Sequence, residues 1–236
     1  MVNLDQNDLK QVFLVIPAFN ESKRIGQLLK RVAERYNIVV VDDGSSDNTY
    51  EIAKSVKKEF PTNVFVCKHF FNRGVGAATK TGMIDAIVHN AKYIVTIDGD
   101  GQHSIDDIDK VIEPLLNDDV DVVLGYRNFD DMPTTKKFAN NVMNLITRIF
   151  YNVNVKDSQS GFRAYKSDVI PLLKIHSDRY GAISEFTREI KTNHLSYVEV
   201  EIQTIYTDET QAKGTNIFVG LKIFFKMILD FFRYKY

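Results

Sequence analysis

The sequence predicts an α/β fold in which a mostly parallel central sheet is flanked by helices. Short runs rich in valine and isoleucine alternate with amphipathic segments of helical length through the first half of the chain. This alternation is typical of βαβ units. The runs are also almost continuously apolar, which is expected when helices cover both faces of a parallel sheet.

Strands and helices alternate strictly in the first half. The first strand is predicted from the run VFLVI, and the later strands keep this apolar character. Strands are predicted at 12–16, 38–41, 64–67, 93–97 and 120–124, and helices between them at 21–35, 48–59, 75–89 and 105–116.

The second half departs from this order. A helix is predicted at 136–150 from apolar residues at helical spacing, namely Phe138, Val142, Leu145, Ile146 and Ile149. Another helix at 183–191 lies between strands at 162–165 and 197–205, and the polar segment 207–216 predicts a loop. No linker marks a boundary between two independent domains.

The length, net charge and composition of the chain limit the classes of function that it can have. The chain has 236 residues, enough for one domain with a full-sized core. A formal charge of −1 argues against nucleic-acid binding. The single Cys67 lies in an apolar run, which predicts a buried thiol in a reducing compartment. The polar segment 1–11 has no signal-peptide character, and no stretch reaches the roughly 18 apolar residues of a membrane span.

Polar segments follow four of the predicted strands: 17–21 (PAFNE), 42–47 (DDGSSD), 98–103 (DGDGQH) and 125–127 (GYR). Ligands of open α/β sheets bind beyond the carboxyl ends of the strands, so we expect these segments to form one site. Polar loops and helix-capping aspartates would explain each segment alone. That explanation weakens when all four occur together.

A pair of carboxylates predicts a metal site. Asp98 and Asp100 can face one pocket if the strand ends in a turn, which Gly99 and Gly101 permit. These carboxylates and the amide oxygen of Gln102 are hard ligands suited to Mg²⁺ or Mn²⁺. Such a cation neutralises the charge that develops on a diphosphate leaving group.

Other polar residues are candidates for nucleotide binding. Carboxylates such as Asp42 and Asp43 at a strand end accept hydrogen bonds from a base imide or a ribose hydroxyl. The segment 72–76 (NRGVG) precedes a helix, whose N-terminus favours an anion, but it is too short for a dinucleotide fingerprint. His103 is a ligand, an acceptor contact or a residue that packs beside its loop.

Six motifs together resemble the family 2 glycosyltransferases of the GT-A fold. Within that family the resemblance is to dolichol-phosphate mannosyltransferase-like enzymes, which transfer sugars to polyprenyl phosphates, and it covers about residues 11–216. The motifs are 16–21 (IPAFNE), 41–45 (VDDGS), 72–76 (NRGVG), 98–103 (DGDGQH), 125–127 (GYR) and 157–163 (DSQSGFR). The resemblance implies one domain over 1–216, with a nucleotide-binding half at about 11–127 and an acceptor half at about 128–216.

The resemblance implies a role for each matching residue. The donor would contact Pro17, Ala18, Phe19, Glu21, Asp42, Asp43, Arg73, Gly74, Lys80, Asp98, Gly99 and Asp100. A Mg²⁺ or Mn²⁺ ion would be held by Asp98, Asp100 and Gln102, and the acceptor phosphate by Arg127, Lys137 and Lys213. The implied catalytic residues are Asp98, Asp100, Arg127 and Glu185, and Glu185 is a base, an acceptor contact or a helix-start residue.

The implied reaction is a single displacement with inversion at the anomeric carbon. It would move a hexose from a donor of the GDP-mannose or UDP-glucose type to a polyprenyl or dolichyl phosphate. A lipid phosphate is already ionised and needs no strong base, so catalysis would rest on positioning and charge neutralisation. A hydroxyl acceptor of a glycan or glycolipid would need a base, and Glu185 is the candidate. A non-catalytic nucleotide-sugar-binding protein is the remaining alternative.

Some basic positions depart from the family pattern. Lys136 and Lys137 stand where relatives often have arginine, and 210–214 reads TQAKG where relatives have a Ser-Lys pair. Lysine lacks the bidentate fork of arginine, which leaves the exact acceptor open.

The segment 217–236 interleaves aromatic and aliphatic residues with basic ones. Such a helix can lie in a bilayer interface, pack on the sheet or form an oligomer contact. We therefore expect a peripheral protein at the cytoplasmic membrane face, with a homo-oligomer or a membrane-protein partner as further options.

Overall fold

The fold is built on one seven-stranded sheet. The computed structural model describes residues 6–129, 132, 134–179 and 181–205. The strands are β1 (Val12–Ala18), β2 (Asn37–Asp42), β3 (Val64–Lys68), β4 (Tyr93–Thr96), β5 (Val122–Arg127), β6 (Arg163–Lys166) and β7 (Tyr197–Ile202). The helices are α1 (Gln6–Leu9), α2 (Ile25–Ala33), α3 (Thr49–Glu59), α4 (Val75–Val88), α5 (Asp107–Leu116), α6 (Thr134–Tyr151) and α7 (Gly181–Thr192), with a 3₁₀ helix at Ser167–Leu172.

The sheet is mostly parallel, as predicted. The strand order is β3-β2-β1-β4-β6-β5-β7. Among the strands of the described residues, only β6 runs against its neighbours, pairing antiparallel with β4 and with β5. In the register of the parallel strands Ala18 lies beside Asp42, and Val15 lies beside Thr96. The carboxyl ends of β1, β2 and β4 therefore meet at one edge of the sheet.

Helices cover both faces of the sheet, which explains the continuous apolar strands. On one face Leu14 and Ile16 of β1 pack with buried residues of α2, α3 and α5. On the other face Phe13 and Val15 pack with buried residues of α4 and α7. Successive side chains of a strand point to opposite faces, so both sets must be apolar.

Helix α2 begins at Ile25, later than the predicted start at residue 21. The backbone before it is bound elsewhere: Asn20 N–H donates to Ser45 Oγ at 2.9 Å, and Glu21 N–H donates to Thr49 Oγ1 at 2.8 Å. Asn20 also adopts a φ of +56°, which no α-helix contains. Tertiary hydrogen bonds therefore displace the start of this helix.

The last strands also differ from the prediction. The tripeptide 125–127 forms the end of β5 instead of following it, because it pairs with 200–202 of β7. Strand β7 ends at Ile202, since the next N–H, of Gln203, donates to Asp107 Oδ2 at 2.6 Å. Neither α1 nor the 3₁₀ helix was predicted.

The predicted loop 207–216 and the amphipathic segment 217–236 lie outside the described residues. Within the described part of the chain, no helix is both long enough and apolar enough to cross a membrane.

Candidate active site

Three of the four polar segments predicted to share a site meet at the carboxyl edge of the sheet. Asp43 N–H donates to the carbonyl of Ala18 at 2.8 Å, which joins the ends of β2 and β1. A methyl group built on Gly99 would lie 2.8 Å from the carbonyl of Pro17, so the turn after β4 also contacts β1. The sheet register thus assembles one cleft from three separate loops.

Asp98 and Asp100 follow β4 and have opposite pKa shifts. Burial opposes ionisation of Asp98, but the hydrogen bond and charge of His103 and the charge of Arg127 together hold its pKa below the ordinary range. Burial and the nearby charge of Asp98 raise the pKa of Asp100, even though Gln102 donates to it. Two acids that repel each other in this way are stabilised by a cation between them.

The acids alone do not surround a metal ion. No cluster of three histidine, cysteine, aspartate or glutamate side chains suited to a metal occurs among the residues that the structure describes. Mg²⁺ commonly binds one or two carboxylates together with substrate phosphates. Asp98 and Asp100 therefore fit a cation that a bound diphosphate also helps to hold.

Gln102 orients Asp100 in this structure. Its N–H donates to Oδ1 of Asp100 at 3.0 Å, and its side-chain amide donates to Oδ2. Of the two turn glycines, Gly101 adopts a φ of +72°. Metal ligation through the Gln102 amide oxygen stays a prediction.

Asp98 contacts two other parts of the chain, although its side chain keeps an exposed fraction of 43%. His103 Nε2 lies 3.2 Å from Asp98 Oδ2, and the His103 ring packs edge-on against Phe162 with centroids 5.2 Å apart. A methyl group built on Gly161 would lie 2.9 Å from Asp98 Oδ1. A side chain at 161 would therefore displace the Asp98 carboxylate, and His103 both packs and contacts the site.

Asp43 holds the loop that precedes α4. Its carboxylate accepts hydrogen bonds from the N–H groups of Arg73 at 3.0 Å and Gly74 at 2.7 Å, and its Oδ1 lies 2.7 Å from His69 Nδ1. The predicted anion near this helix N-terminus is thus the protein's own aspartate. Direct contacts of Asp43 and of the Gly74 N–H with the nucleotide-sugar stay predictions. The hydrogen bond that these two groups make with each other does not support these contacts.

Asp42 has a different environment from its neighbour. It is 1% exposed, and neither carboxylate oxygen has a hydrogen-bond partner among the described residues. A buried carboxylate without a partner is costly. Both oxygens of the Asp42 carboxylate are thus unengaged within the described residues, and its contact with a base or ribose stays a prediction.

The loop after β1 presents an aromatic ring beside these acids. Phe19 is 44% exposed, whereas Glu21 is mostly buried and lies 3.6 Å from Arg24. The loop is fixed by the segment before α3, since Ser22 N–H donates to Asp47 Oδ2 at 3.1 Å. A rigid loop with one exposed ring can stack on a nucleotide base.

Arg127 forms a bidentate ion pair with a buried carboxylate. Its Nε lies 2.7 Å from Asp157 Oδ2, and its Nη2 lies 3.1 Å from Asp157 Oδ1. Asn140 of α6 donates to the same carboxylate at 3.3 Å. Asp157 thereby fixes the guanidinium of Arg127 at the end of β5.

Comparison with known proteins identifies the family. Residues 13–171 match the family model described as Glycosyl transferase family 2. The chain belongs to this family. It is therefore a glycosyltransferase, and the sequence-based resemblance is confirmed.

Relatives of this glycosyltransferase match it along most of its length. It is 44% identical over 229 residues to an uncharacterised protein of Methanocaldococcus jannaschii, covering 93% of this chain and 92% of that protein. It is 40% identical over 240 residues to the UDP-N-acetylglucosamine--dolichyl-phosphate N-acetylglucosaminyltransferase of Methanococcus voltae, covering 93% and 96%.

Solved structures confirm the GT-A fold. The glucosyl-3-phosphoglycerate synthase of Mycobacterium tuberculosis, crystallised with Mn²⁺, UDP and glucosyl-3-phosphoglycerate, matches with a TM-score of 0.68. The match covers 98% of this chain and 85% of that chain at 15% identity. At this identity the likeness concerns the fold only.

Lys80 of the glycosyltransferase, for which a donor contact was predicted, is paired within the protein. Its Nζ lies 2.8 Å from Asp178 Oδ1 and 3.3 Å from the carbonyl of Ile175. Ala77 N–H donates to the carbonyl of Asp178 at 2.9 Å. The start of α4 therefore contacts the segment before α7, and the donor contact by Lys80 stays a prediction.

Glu185 is buried and bound to the backbone, so the geometry favours a structural role. Its Oε2 accepts hydrogen bonds from the N–H groups of His176 at 2.6 Å and Ser177 at 2.9 Å, and its Oε1 accepts from the Ser177 hydroxyl. Both oxygens of the Glu185 carboxylate are engaged by these two residues. A catalytic role for Glu185 finds no support in these contacts.

Of the two lysines predicted to hold the acceptor phosphate, Lys137 and Lys213, the structure describes one. Lys137 lies half-buried on α6, one turn from Asn140, which contacts Asp157. Lys213 lies outside the residues that the structure describes, and so does the side chain of Lys136.

Three positioning residues were not predicted: Asp157, His69 and Asp178. Asp157 lies in the family motif 157–163, for whose residues the resemblance implied no individual roles. No sequence signal connects His69 or Asp178 to the site, because each acts through a contact distant in sequence.

Proposed function

We propose that this glycosyltransferase transfers a sugar from a nucleoside diphosphate donor to a polyprenyl or dolichyl phosphate with the help of Mg²⁺ or Mn²⁺. The observation that carries the proposal is the pair Asp98 and Asp100, whose mutual repulsion and oxygen chemistry suit a cation shared with a diphosphate. The named function of the Methanococcus voltae relative supports the acceptor class.

Donor binding follows from the cleft beside β1 and β2. The buried, unpartnered carboxylate of Asp42 would accept a hydrogen bond from the base or ribose, and the exposed ring of Phe19 would stack on the base. Asp98 and Asp100 would hold the cation next to the diphosphate. The bound cation supplies charge neutralisation on the leaving nucleoside diphosphate.

Acceptor activation would need no general base. A phosphate monoester oxygen is ionised at neutral pH, so it can attack the anomeric carbon while the bond from that carbon to the donor diphosphate breaks. Arg127, fixed by Asp157, and Lys137 would hold the acceptor phosphate. Glu185, the candidate base for a hydroxyl acceptor, is engaged by the backbone. This contact favours the phosphate acceptor over the hydroxyl alternative.

Replacement of Asp100 tests the cation site. We expect Asp100→Ala to lower kcat/KM by a factor of about 10³ or more, because transition-state charge is left uncompensated. Transfer is measured with Mn²⁺, polyprenyl phosphate and a panel of UDP-GlcNAc, UDP-glucose and GDP-mannose. Mn²⁺ uptake in the presence of UDP or GDP is measured separately by electron paramagnetic resonance.

Asp106→Ala is the matched control. Asp106 is an exposed aspartate in the same loop region, and its side chain does not cap α5. The control should keep transfer and Mn²⁺ uptake. Wild-type transfer by Asp100→Ala would contradict the cation site, and transfer to free polyprenol at the same rate as to its phosphate would contradict the acceptor class.

The acceptor class also implies a location. We propose that the enzyme acts as a peripheral protein at the cytoplasmic face of a membrane, where a polyprenyl phosphate presents its headgroup.

A further inference from the structure

Helix α6 has a buried apolar face and, beside it, an exposed apolar face. Met143 and Ile146 are buried against the protein. Four other apolar residues of the helix point outward and are exposed by 69%, 39%, 55% and 66%: Phe138, Val142, Leu145 and Ile149. We call these four residues the α6 stripe. A helix that is apolar on both of these faces needs a second apolar environment.

The α6 stripe is continuous. Its members are spaced by four, three and four residues, which places them within an arc of about 60° at 3.6 residues per turn. At 1.5 Å per residue the stripe runs for about 16 Å along the helix. Isolated exposed apolar residues are common, but an aligned row of four marks a contact surface.

The charge of α6 defines the kind of contact. The helix contains Lys136, Lys137 and Arg148 and no acidic residue. At helical spacing, Lys137 and Arg148 fall on the same flank of the α6 stripe. An apolar stripe bordered by cations is the pattern of a helix lying in the interface of a bilayer with anionic headgroups.

We propose that the α6 stripe is the surface with which this enzyme docks on an anionic membrane. The proposal rests on the proposed function, because a polyprenyl phosphate acceptor lies in a membrane. A second copy of the chain fits less well, since packing two such helices would bring their cationic flanks together without an acidic partner on α6.

The other side of α6 reaches the candidate active site. Asn140 donates to Asp157 at 3.3 Å, and Asp157 fixes Arg127. Asn144 donates to the carbonyl of Lys156 at 2.6 Å and accepts from the N–H of Ser158 at 2.8 Å. A bilayer in contact with the α6 stripe would therefore lie about one helix diameter from the Arg127–Asp157 pair.

The test is vesicle binding by the full chain. Wild-type enzyme and the variant Leu145→Asp/Ile149→Asp are sedimented with vesicles of phosphatidylcholine alone and of phosphatidylcholine with 30 mol% phosphatidylglycerol (a composition chosen at roughly the anionic content of natural membranes). We expect the wild type to bind the anionic vesicles and the variant to bind at least about tenfold more weakly. Both mutated side chains are exposed, so the melting temperature should not change.

The matched control is Ile84→Asp/Val88→Asp on α4. These two residues have the same spacing and exposures of 62% and 70%. The control variant should bind vesicles as the wild type does. Equal binding by the α6 variant and the wild type would overturn the proposal, and it would point to the segment 217–236 as the membrane contact. A wild-type dimer that the α6 variant converts to a monomer, with vesicle binding unchanged, would assign the α6 stripe to self-association instead.

Sugar transfer distinguishes failure of this inference from failure of the proposed function. The α6 variant should retain transfer to a short-chain, water-soluble isoprenyl phosphate and lose transfer to polyprenyl phosphate in vesicles. If the wild type transfers no sugar to either acceptor, the proposed function fails. Vesicle binding needs no substrate and still decides the role of the α6 stripe.

Discussion

Asp42 and Asp43 are adjacent at the end of β2, but their carboxylates have different surroundings. Two residues of the same type can therefore have different roles. Asp43 uses its carboxylate to hold the loop before α4, through the N–H groups of Arg73 and Gly74. Asp42 is buried without a partner. Side chains that are adjacent along an extended chain point in opposite directions, so the two carboxylates meet different surroundings.

Hydrogen bonds determine the pKa of the Asp47 carboxyl, so this residue makes the stability of the protein depend on pH. Burial alone would raise its pKa, but hydrogen bonds from Thr49 and Ser22 outweigh burial and lower the pKa to about 2. An unfolded aspartate has a pKa of about 3.9. Asp47 therefore adds stability above about pH 4, and this contribution is lost as pH falls towards 2.

We expect Asp47→Asn to lower the free energy of unfolding at pH 6 by about 1 kcal/mol. The difference from wild type should shrink as the pH falls from 4 towards 2, because the unfolded wild-type chain then binds a proton at Asp47 that the folded chain binds only near pH 2. Urea denaturation at several pH values measures this, with the exposed Asp119→Asn as control. A difference that stays constant from pH 6 to pH 2.5 would show that ionised Asp47 does not hold the loop.

At the scale of elements, the contact between α4 and α7 positions one wall of the cleft. The helices approach so closely that a methyl group on Gly76 would lie 2.4 Å from Cβ of Ala182 and 3.0 Å from the carbonyl oxygens of Asp178 and Arg179. The loop 72–76 is thus clamped between Asp43 and the start of α7. Glycine at 76 is a packing requirement as well as a sequence motif.

We expect Gly76→Ala to destabilise the protein by about 1–3 kcal/mol, although alanine normally favours a helix by up to about 1 kcal/mol. The cost of overpacking exceeds the gain in helix propensity, because the nearest atoms belong to a second helix and to backbone carbonyls. These atoms cannot move independently. Thermal unfolding measures the loss.

Ala182→Gly in the Gly76→Ala background should recover part of this stability, because it removes the closest of the three contacts. Gly76→Ala with wild-type stability would mean that α4 and α7 separate easily, and the clamp would then not position the loop.

At the scale of the whole molecule, the sheet joins nucleotide and cation binding in one cleft. The cation ligands follow β4, and the candidate base contact lies at the end of β2, with β1 between them. A nucleoside diphosphate that binds along this edge contacts all three strand ends. Ligand and cation should therefore stabilise the fold together.

We expect Mn²⁺ with a nucleoside diphosphate to raise the melting temperature by more than the sum of the two separate shifts. A hundredfold excess over Kd corresponds to about 2.7 kcal/mol of stabilisation. UDP and GDP are compared by thermal scanning, with and without a chelator. The excess shift should vanish in Asp100→Ala, and an equal shift with the chelator present would argue against a shared cation.

The elements that depend on local pattern were predictable from the amino-acid sequence. Apolar runs identified the buried strands, helical spacing identified α6, and the DGDGQH segment identified the acids, because periodicity and residue chemistry are local properties. The family motifs added the GT-A fold and the enzyme class.

The contacts made by the polar residues of the site depend on the folded structure. Asp43 and Lys80 carry the chemistry of ligand-binding residues, but their partners in the protein are residues distant in sequence. The late start of α2 and the early end of β7 have the same cause. A hydrogen bond between distant segments depends on where the whole chain places both groups, and no local pattern records that position.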